Sequence, residues 1–217
     1  MSFGKLYCFE GNSRSTVLLV LAKENNLDIK LVEVRPPEVD AEYLKLNPLG
    51  RVPTFVSSDG FILTEAMAIA IYFASQAENS KLLGSHKEQL ASIIRWMSFA
   101  NSELLPKLGG WFRPFIGKDP FNKVRMEESK NGALTALQVL EQHLQHRSFF
   151  VGKDMTLADF FVASTVSRGF MLVLDGTWRA DNPNITRWYK AVTSHPSWTA
   201  VVFSTEMIDV APQFPEY

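Results

Sequence analysis

Cysteine is all but missing. Cys8 is the only one in 217 residues, so the chain cannot close an intramolecular disulfide. Histidine is scarce too. Of the four, His143 and His146 share one face of an expected helix, yet no cysteine, third histidine or carboxylate set completes a metal site around them. A solvated face is expected there, and no metal. An excess of charge of one sign is also lacking. The formal net charge is −1, and no basic block of the kind that follows a phosphate backbone is present, which argues against nucleic acid as a direct partner. The longest unbroken apolar run, Val17 to Ala22, is far too short to cross a bilayer. Met1 to Leu6 shows no charged stretch leading into an apolar one, so no secretory signal is expected. These absences predict a cytoplasmic protein without a membrane partner.

What is present is ordinary globular composition, 46% hydrophobic and 21% charged, with room for two modest domains. Lys5 to Phe9 reads as a short buried strand between Gly4 and Gly11. A helix follows from Asn12-Ser13 to Asn25-Asn26, with cap-forming residues at its start and an apolar run that must be buried. Ile29 to Val34 is a second strand, which makes a βαβ unit with a right-handed crossover. A short helical piece, Ala41 to Leu46, precedes Asn47-Pro48-Leu49-Gly50-Arg51-Val52-Pro53. Thr54 to Ser57 and Phe61 to Leu63 then form a hairpin around Ser58-Asp59-Gly60. Thr64 is expected to cap a helix from Glu65 to about Gln76, with Ala66, Ile69, Ala70 and Phe73 inward. The order βαβαββα is the thioredoxin-like arrangement.

NPLGRVPTF followed by LTEAMAIAIY resembles the glutathione-binding core of the glutathione transferases. The resemblance implies a cis bond at Val52-Pro53, in a turn that leaves the Val52 N–H and C=O free to pair with glutathione as an extra strand would. It implies that the helix N-terminus at Glu65 and Ala66 takes the γ-glutamyl carboxylate and that Glu65 receives the α-amino group. Arg51 would meet a glycyl or glutamyl carboxylate. Many members have serine where this chain has Ala66. Alanine keeps the backbone N–H but forgoes about 1–2 kcal/mol of hydrogen bonding. On a plainer reading, Val52-Pro53 is a structural turn and Glu65 only favours its helix end.

Beyond a polar linker, Glu78 to Ser85, the chain reads as helical throughout: Lys87 to about Leu108, Asn122 to about His146, then Pro183 to Ser194 and Ser197 to Ser204. In the second of these, Leu134, Leu137, Leu140, Glu141 and Leu144 give a mixed core and solvent face. Thr156-Leu157-Ala158-Asp159 is a capping box, with Met155 and Phe160 as its staple. The domains expected are therefore 1–78 and 86–217, joined by 79–85. QLASIIRWMSFANSELLP and GTWRADNPNITRWYKAVTSHPSW narrow the resemblance to the transferase-like N-terminal domain of the gamma subunit of translation elongation factor 1. That subunit continues into a lysine-rich linker and a further domain. A free-standing relative or a fragment is expected, and Met1 and the lack of a linker stub favour the former.

The reaction implied is attack of the glutathione thiolate on a hydrophobic electrophile. Lowering a thiol pKa by about two units takes roughly 2.7 kcal/mol of thiolate stabilisation. In the family, the donor that supplies it lies in the first strand or in the loop before the first helix. Tyr7 is in that region but alternates with Leu6 and Cys8 and is expected to face the sheet. In the loop, Ser13 is the first candidate, with an N-cap as its plainer role; Arg14 offers a fixed cation and Asn12 an amide donor. Aligning Arg14 with the serine-type pattern puts Glu10 at the usual donor position. Cys8 is expected in the core. An acceptor pocket is expected between the domains; Trp111, Phe112 and Phe115, with Arg113 among them, read as core on the plainer account, while Gly109-Gly110 and Pro114 suggest a loop that faces the pocket. The resemblance thus implies a homodimeric glutathione transferase with glutathione as co-substrate. The alternative is a weakly active or non-catalytic interaction module with a translation-factor subunit as partner. A peroxidase or reductase of the same fold is a third reading, for which Cys8 is poorly placed.

Overall fold

The computed structural model describes residues 2–77 and 80–212. Four strands form one sheet in the order β2-β1-β3-β4: β1 (Gly4–Cys8), β2 (Ile29–Glu33), β3 (Thr54–Ser57) and β4 (Ile62–Thr64). β1 runs parallel to β2 and antiparallel to β3, and β3 is antiparallel to β4. Alternation along β1 buries Leu6 and Cys8 and turns Lys5 and Tyr7 to the other face. Tyr7 lies there beside Tyr43, with ring centroids 5.5 Å apart.

Helix α1 (Ser13–Glu24) buries Val17, Leu18, Val20, Leu21 and Ala22, as its apolar run requires. It packs on α3 (Ala66–Ala74) within the first domain, and on α7 (Leu157–Leu172) of the second. The short α2 (Ala41–Leu46) is capped by Asp40, which accepts from the Tyr43 N–H at 2.7 Å. Thr64 does not cap α3. It closes β4, and Glu65 holds the cap position at φ +67° with no side chain over the helix end.

The helical half departs from the sequence reading in four places. The helix expected from Lys87 to Leu108 is two helices, α4 (Lys87–Phe99) and α5 (Leu105–Phe112), joined by a π-helical turn at Ala100–Leu104. Pro106, which cannot donate to an α-helical ladder, stands in the first turn of α5. Gly109-Gly110 is not in a loop but inside α5. A Cβ at Gly110 would collide with the Ser129 side chain of α6 (Lys123–Leu144), so glycine there permits close helix packing. A short helix not foreseen, α8 (Gly176–Asp181), precedes α9 (Pro183–Thr193). The helix expected over Ser197 to Ser204 is a single turn, α10 (Pro196–Thr199), after which the Val201 and Val202 N–H groups share the Trp198 carbonyl. A 3-10 turn at Lys81–Leu83 stands in the expected linker; residues 78 and 79 of that linker lie outside the described residues.

The capping box forms. The Asp159 carboxylate accepts from the Thr156 N–H at 2.8 Å and hydroxyl at 3.0 Å. Glu141, buried, faces the start of α9 and accepts from the Asn184 and Ile185 N–H groups. His143 corrects the solvated-face expectation. It is half-buried, lies tilted against Trp96 with ring centroids 4.5 Å apart, stacks on Phe150 and donates from Nε2 to the Phe150 carbonyl at 2.9 Å, while His146 is exposed. Burial lowers the His143 pKa.

Candidate functional site between the two halves

The loop from β1 to α1 is built at Asn12. Its Oδ1 accepts from the Arg14 N–H at 2.9 Å and the Ser15 N–H at 3.2 Å, so Asn12, not Ser13, is the N-cap. The Ser13 hydroxyl is released from the plainer role considered for it. The second domain anchors this loop from α7. The Ser164 hydroxyl donates to the Ser13 carbonyl, and Arg168 Nη2 donates to the Gly11 carbonyl at 3.0 Å.

Facing the loop are α5 and the 3-10 turn Arg113–Ile116. Between them lies a cleft of about 450 Å³. Asn12, Ser13 and Arg14 line one side, with Phe9 and Gly11; Leu105, Pro106, Gly109, Phe112 and Ile116 supply an apolar wall opposite. Of the expected aromatic cluster, Phe112 and Arg113 line the cleft. Trp111 does not; it is buried, with the Lys130 ammonium 5.8 Å from its ring centroid. Arg113 is held by Asp119 in two bonds of 2.7 and 2.8 Å, which keep the Asp119 carboxyl below its usual pKa. A second cavity of about 470 Å³ lies on the other side of the loop, and there Glu10 is found with Ser15, Thr16 and Arg168. Glu10 does not line the cleft that holds Ser13 and Arg14.

The turn before β3 has its own scaffold. The Val52-Pro53 bond is cis. The Tyr43 hydroxyl and the Asn47 amide both donate to the Arg51 carbonyl, the latter at 2.7 Å, and both bond Thr54 Oγ1 at 2.9 and 3.0 Å. Among the described residues the Val52 N–H and C=O take no partner. That is the free edge an extended peptide would use. Across the sheet, the first-turn N–H groups of α3 are covered by no side chain, an arrangement that suits an anion.

Electrostatics join these pieces. Desolvation lowers the pKa of the Arg14 guanidinium; Glu65 opposes that shift and Arg51 adds to it. Arg14 is thus within electrostatic reach of both, and of the three it alone lines the cleft. Cys8 is buried in the sheet, and desolvation, then Glu33, pushes its thiol pKa to about 11. Such a thiol is not a nucleophile at neutral pH.

Four site features were not read from the sequence. Tyr43 and Asn47 hold the cis-proline turn, and the asparagine opening NPLGR was the available signal. Lys118 and Arg168 line the cleft. Arg168, the one cation in α7, was the signal for the latter.

A four-stranded thioredoxin-like half with an open peptide edge, clasped to a helical half across a cleft, defines the two-domain thiol-transferase class. The family models for the glutathione S-transferase N-terminal and C-terminal domains match residues 2–75 and 104–196. The chain is 44% identical over 197 residues to the glutathione S-transferase stcT of Emericella nidulans, covering 90% of each chain. It is 34% identical over 220 residues to elongation factor 1-gamma-A of Xenopus laevis, covering 99% of this chain and 50% of that one. The solved GST-like domain of elongation factor 1-gamma from Saccharomyces cerevisiae superposes with a TM-score of 0.84 at 32% identity, over 98% of this chain and 100% of that domain. The chain belongs to the glutathione S-transferase family.

Proposed function

We propose that this protein binds glutathione and transfers its sulfur to an electrophile held in the interdomain cleft. The observation that carries the reading is the convergence at Arg14, which lines the cleft and feels both Glu65 and Arg51. Glutathione would pair with the Val52 backbone ahead of Pro53. Its γ-glutamyl carboxylate would sit at the α3 N-terminus by Ala66, and its amino group at Glu65. Arg51 would take a second carboxylate. The sulfur then faces Asn12, Ser13 and Arg14. The thiol loses its proton to solvent, the thiolate bonds the electrophilic carbon, and the leaving group departs with its electron pair.

Titration calorimetry with glutathione, followed by turnover of a generic aryl halide, tests this. Saturable binding and glutathione-dependent release of halide are expected; no heat at millimolar ligand overturns it. The likeness to elongation factor 1-gamma across nearly the whole chain favours a second reading, a partner-binding module of that type. Robust turnover lost on Arg14→Ala would count against it.

The same reading divides the chain into 1–78 and 86–217 around 79–85. It also takes the protein as a cytoplasmic homodimer with a role in detoxification. Among the described residues no helix is long and apolar enough to cross a membrane. Phe61 and Ile62, exposed beside the sheet edge, are the apolar surface that supports pairing. Light scattering after gel filtration tests the dimer; a monomer mass at micromolar concentration removes it.

A further inference from the structure

The cleft carries more positive charge than a tripeptide needs. Arg14 answers to Glu65 and Arg51 at the end proposed for glutathione. Arg113 is engaged by Asp119. Lys118 and Arg168 also line the cleft, and neither forms an ion pair among the described residues. Lys118 is exposed, with its ammonium 5.9 Å from the Phe9 ring centroid, so solvent screens it.

Arg168 is different. It is half-buried on α7, and one of its five donors is committed to the Gly11 carbonyl at 3.0 Å. Gly11 stands at φ +74°, where glycine is at ease, and its lack of a side chain leaves Nη2 close to the loop. It lines both the cleft and the neighbouring cavity, where Glu10 is present but forms no ion pair with it. A fixed guanidinium fork with spare donors beside an apolar wall matches a planar acceptor that carries an anion.

We propose that the electrophile taken by this cleft is an aromatic or similarly flat apolar molecule bearing a carboxylate or sulfonate, and that Arg168 is the residue that selects it. The inference rests on the transferase reading for the chemistry, but its binding preference is measurable without turnover.

The test compares two unreactive ligands of one shape, a dinitrobenzoate and the corresponding dinitrobenzamide, by calorimetry with and without saturating S-methylglutathione. The benzoate is expected to bind roughly tenfold more tightly. Arg168→Gln, which keeps a donor for the Gly11 carbonyl but not the charge, should bring the ratio near one, and Arg168→Lys should restore part of it. With the chlorinated pair as acceptors, the preference should appear in KM and not in kcat. Equal binding of the two ligands by the native protein overturns the proposal. A preference unchanged in a folded Arg168→Gln protein overturns the assignment to Arg168. If glutathione fails to bind while the benzoate preference stays, the transferase reading falls and only the selection of a flat anionic ligand by Arg168 stands; if glutathione binds and the ligands do not differ, the transferase reading stands and this inference falls.

Discussion

The Trp188 indole N–H donates to the Asp159 carboxylate at 2.9 Å, with both side chains shut away from solvent. The same carboxylate accepts from the Phe150 N–H at 3.0 Å and from Thr156. It therefore ties α9, the start of α7 and the segment before it to one point. Burial drives the Asp159 pKa up, against the pull of these donors. Asp159→Asn sets an NH2 group against donors and should cost roughly 2–4 kcal/mol in urea unfolding; Trp188→Phe should cost about 1–3 kcal/mol. A shift under about 0.5 kcal/mol for Asp159→Asn would show that this knot is not structural.

Glu65 stands at φ +67°, where glycine is at ease and other residues are strained by about 1–3 kcal/mol. Glu65→Gly should raise the thermal midpoint while weakening glutathione binding. Glu65→Gln keeps the strain, so it should leave the midpoint near that of the native protein and lower affinity about tenfold. Calorimetry and thermal unfolding on the two variants separate the effects.

Asn12 caps α1 and Ser13 does not, so variants at the two positions separate stability from the proposed chemistry. Asn12→Ala removes a helix cap and should cost about 1 kcal/mol. Ser13→Ala should move stability by less than about 0.5 kcal/mol, yet slow thiol transfer on the order of 100-fold if its hydroxyl faces the sulfur. A pH–rate profile of Ser13→Ala should show the thiol limb displaced to higher pH. An unmoved limb would pass the role to Arg14 or Asn12.

Cys8 should ignore thiol reagents at pH 8 in the native state and react once the chain is unfolded. Its folded pKa, about 11, lies above the ordinary value of 9.0. Below pH 9 both states keep the proton and no difference arises. As pH rises from 9 towards 11, the unfolded thiol ionises first, so its contribution to stability is lost over that window. Cys8→Ala should flatten the decline measured by urea unfolding at pH 8 and pH 10.5. The same decline in both proteins would assign it to other groups.

Much of the first domain was legible because its signals are local. Ala41–Leu46 and Thr54–Ser57 appear at the limits that their capping aspartate, proline and turn residues set. Glu65 was misplaced by one position because nothing in the sequence announces a positive φ at a glutamate. In the helical half, apolar spacing located the helices but not the π-helical turn at Ala100–Leu104, which depends on how Pro106 is accommodated. Gly109-Gly110 looked like a break because the close approach of α6 lies far away in sequence. The site followed the same rule. Arg51, Val52, Pro53 and Glu65 stand within one contiguous stretch. Arg168 meets Gly11 only after the chain has folded across 157 positions.

The anchoring of the β1–α1 loop by Ser164 and Arg168 means that a loop encoded in one half is held in place by the other. The helical half is thus not an interchangeable cassette. Chimaeras cut between the halves inherit a foreign set of anchors, and each graft that reshapes one wall of the cleft also resets the loop that forms the other. Diversification in this molecule must therefore proceed by paired change on either side of the cleft.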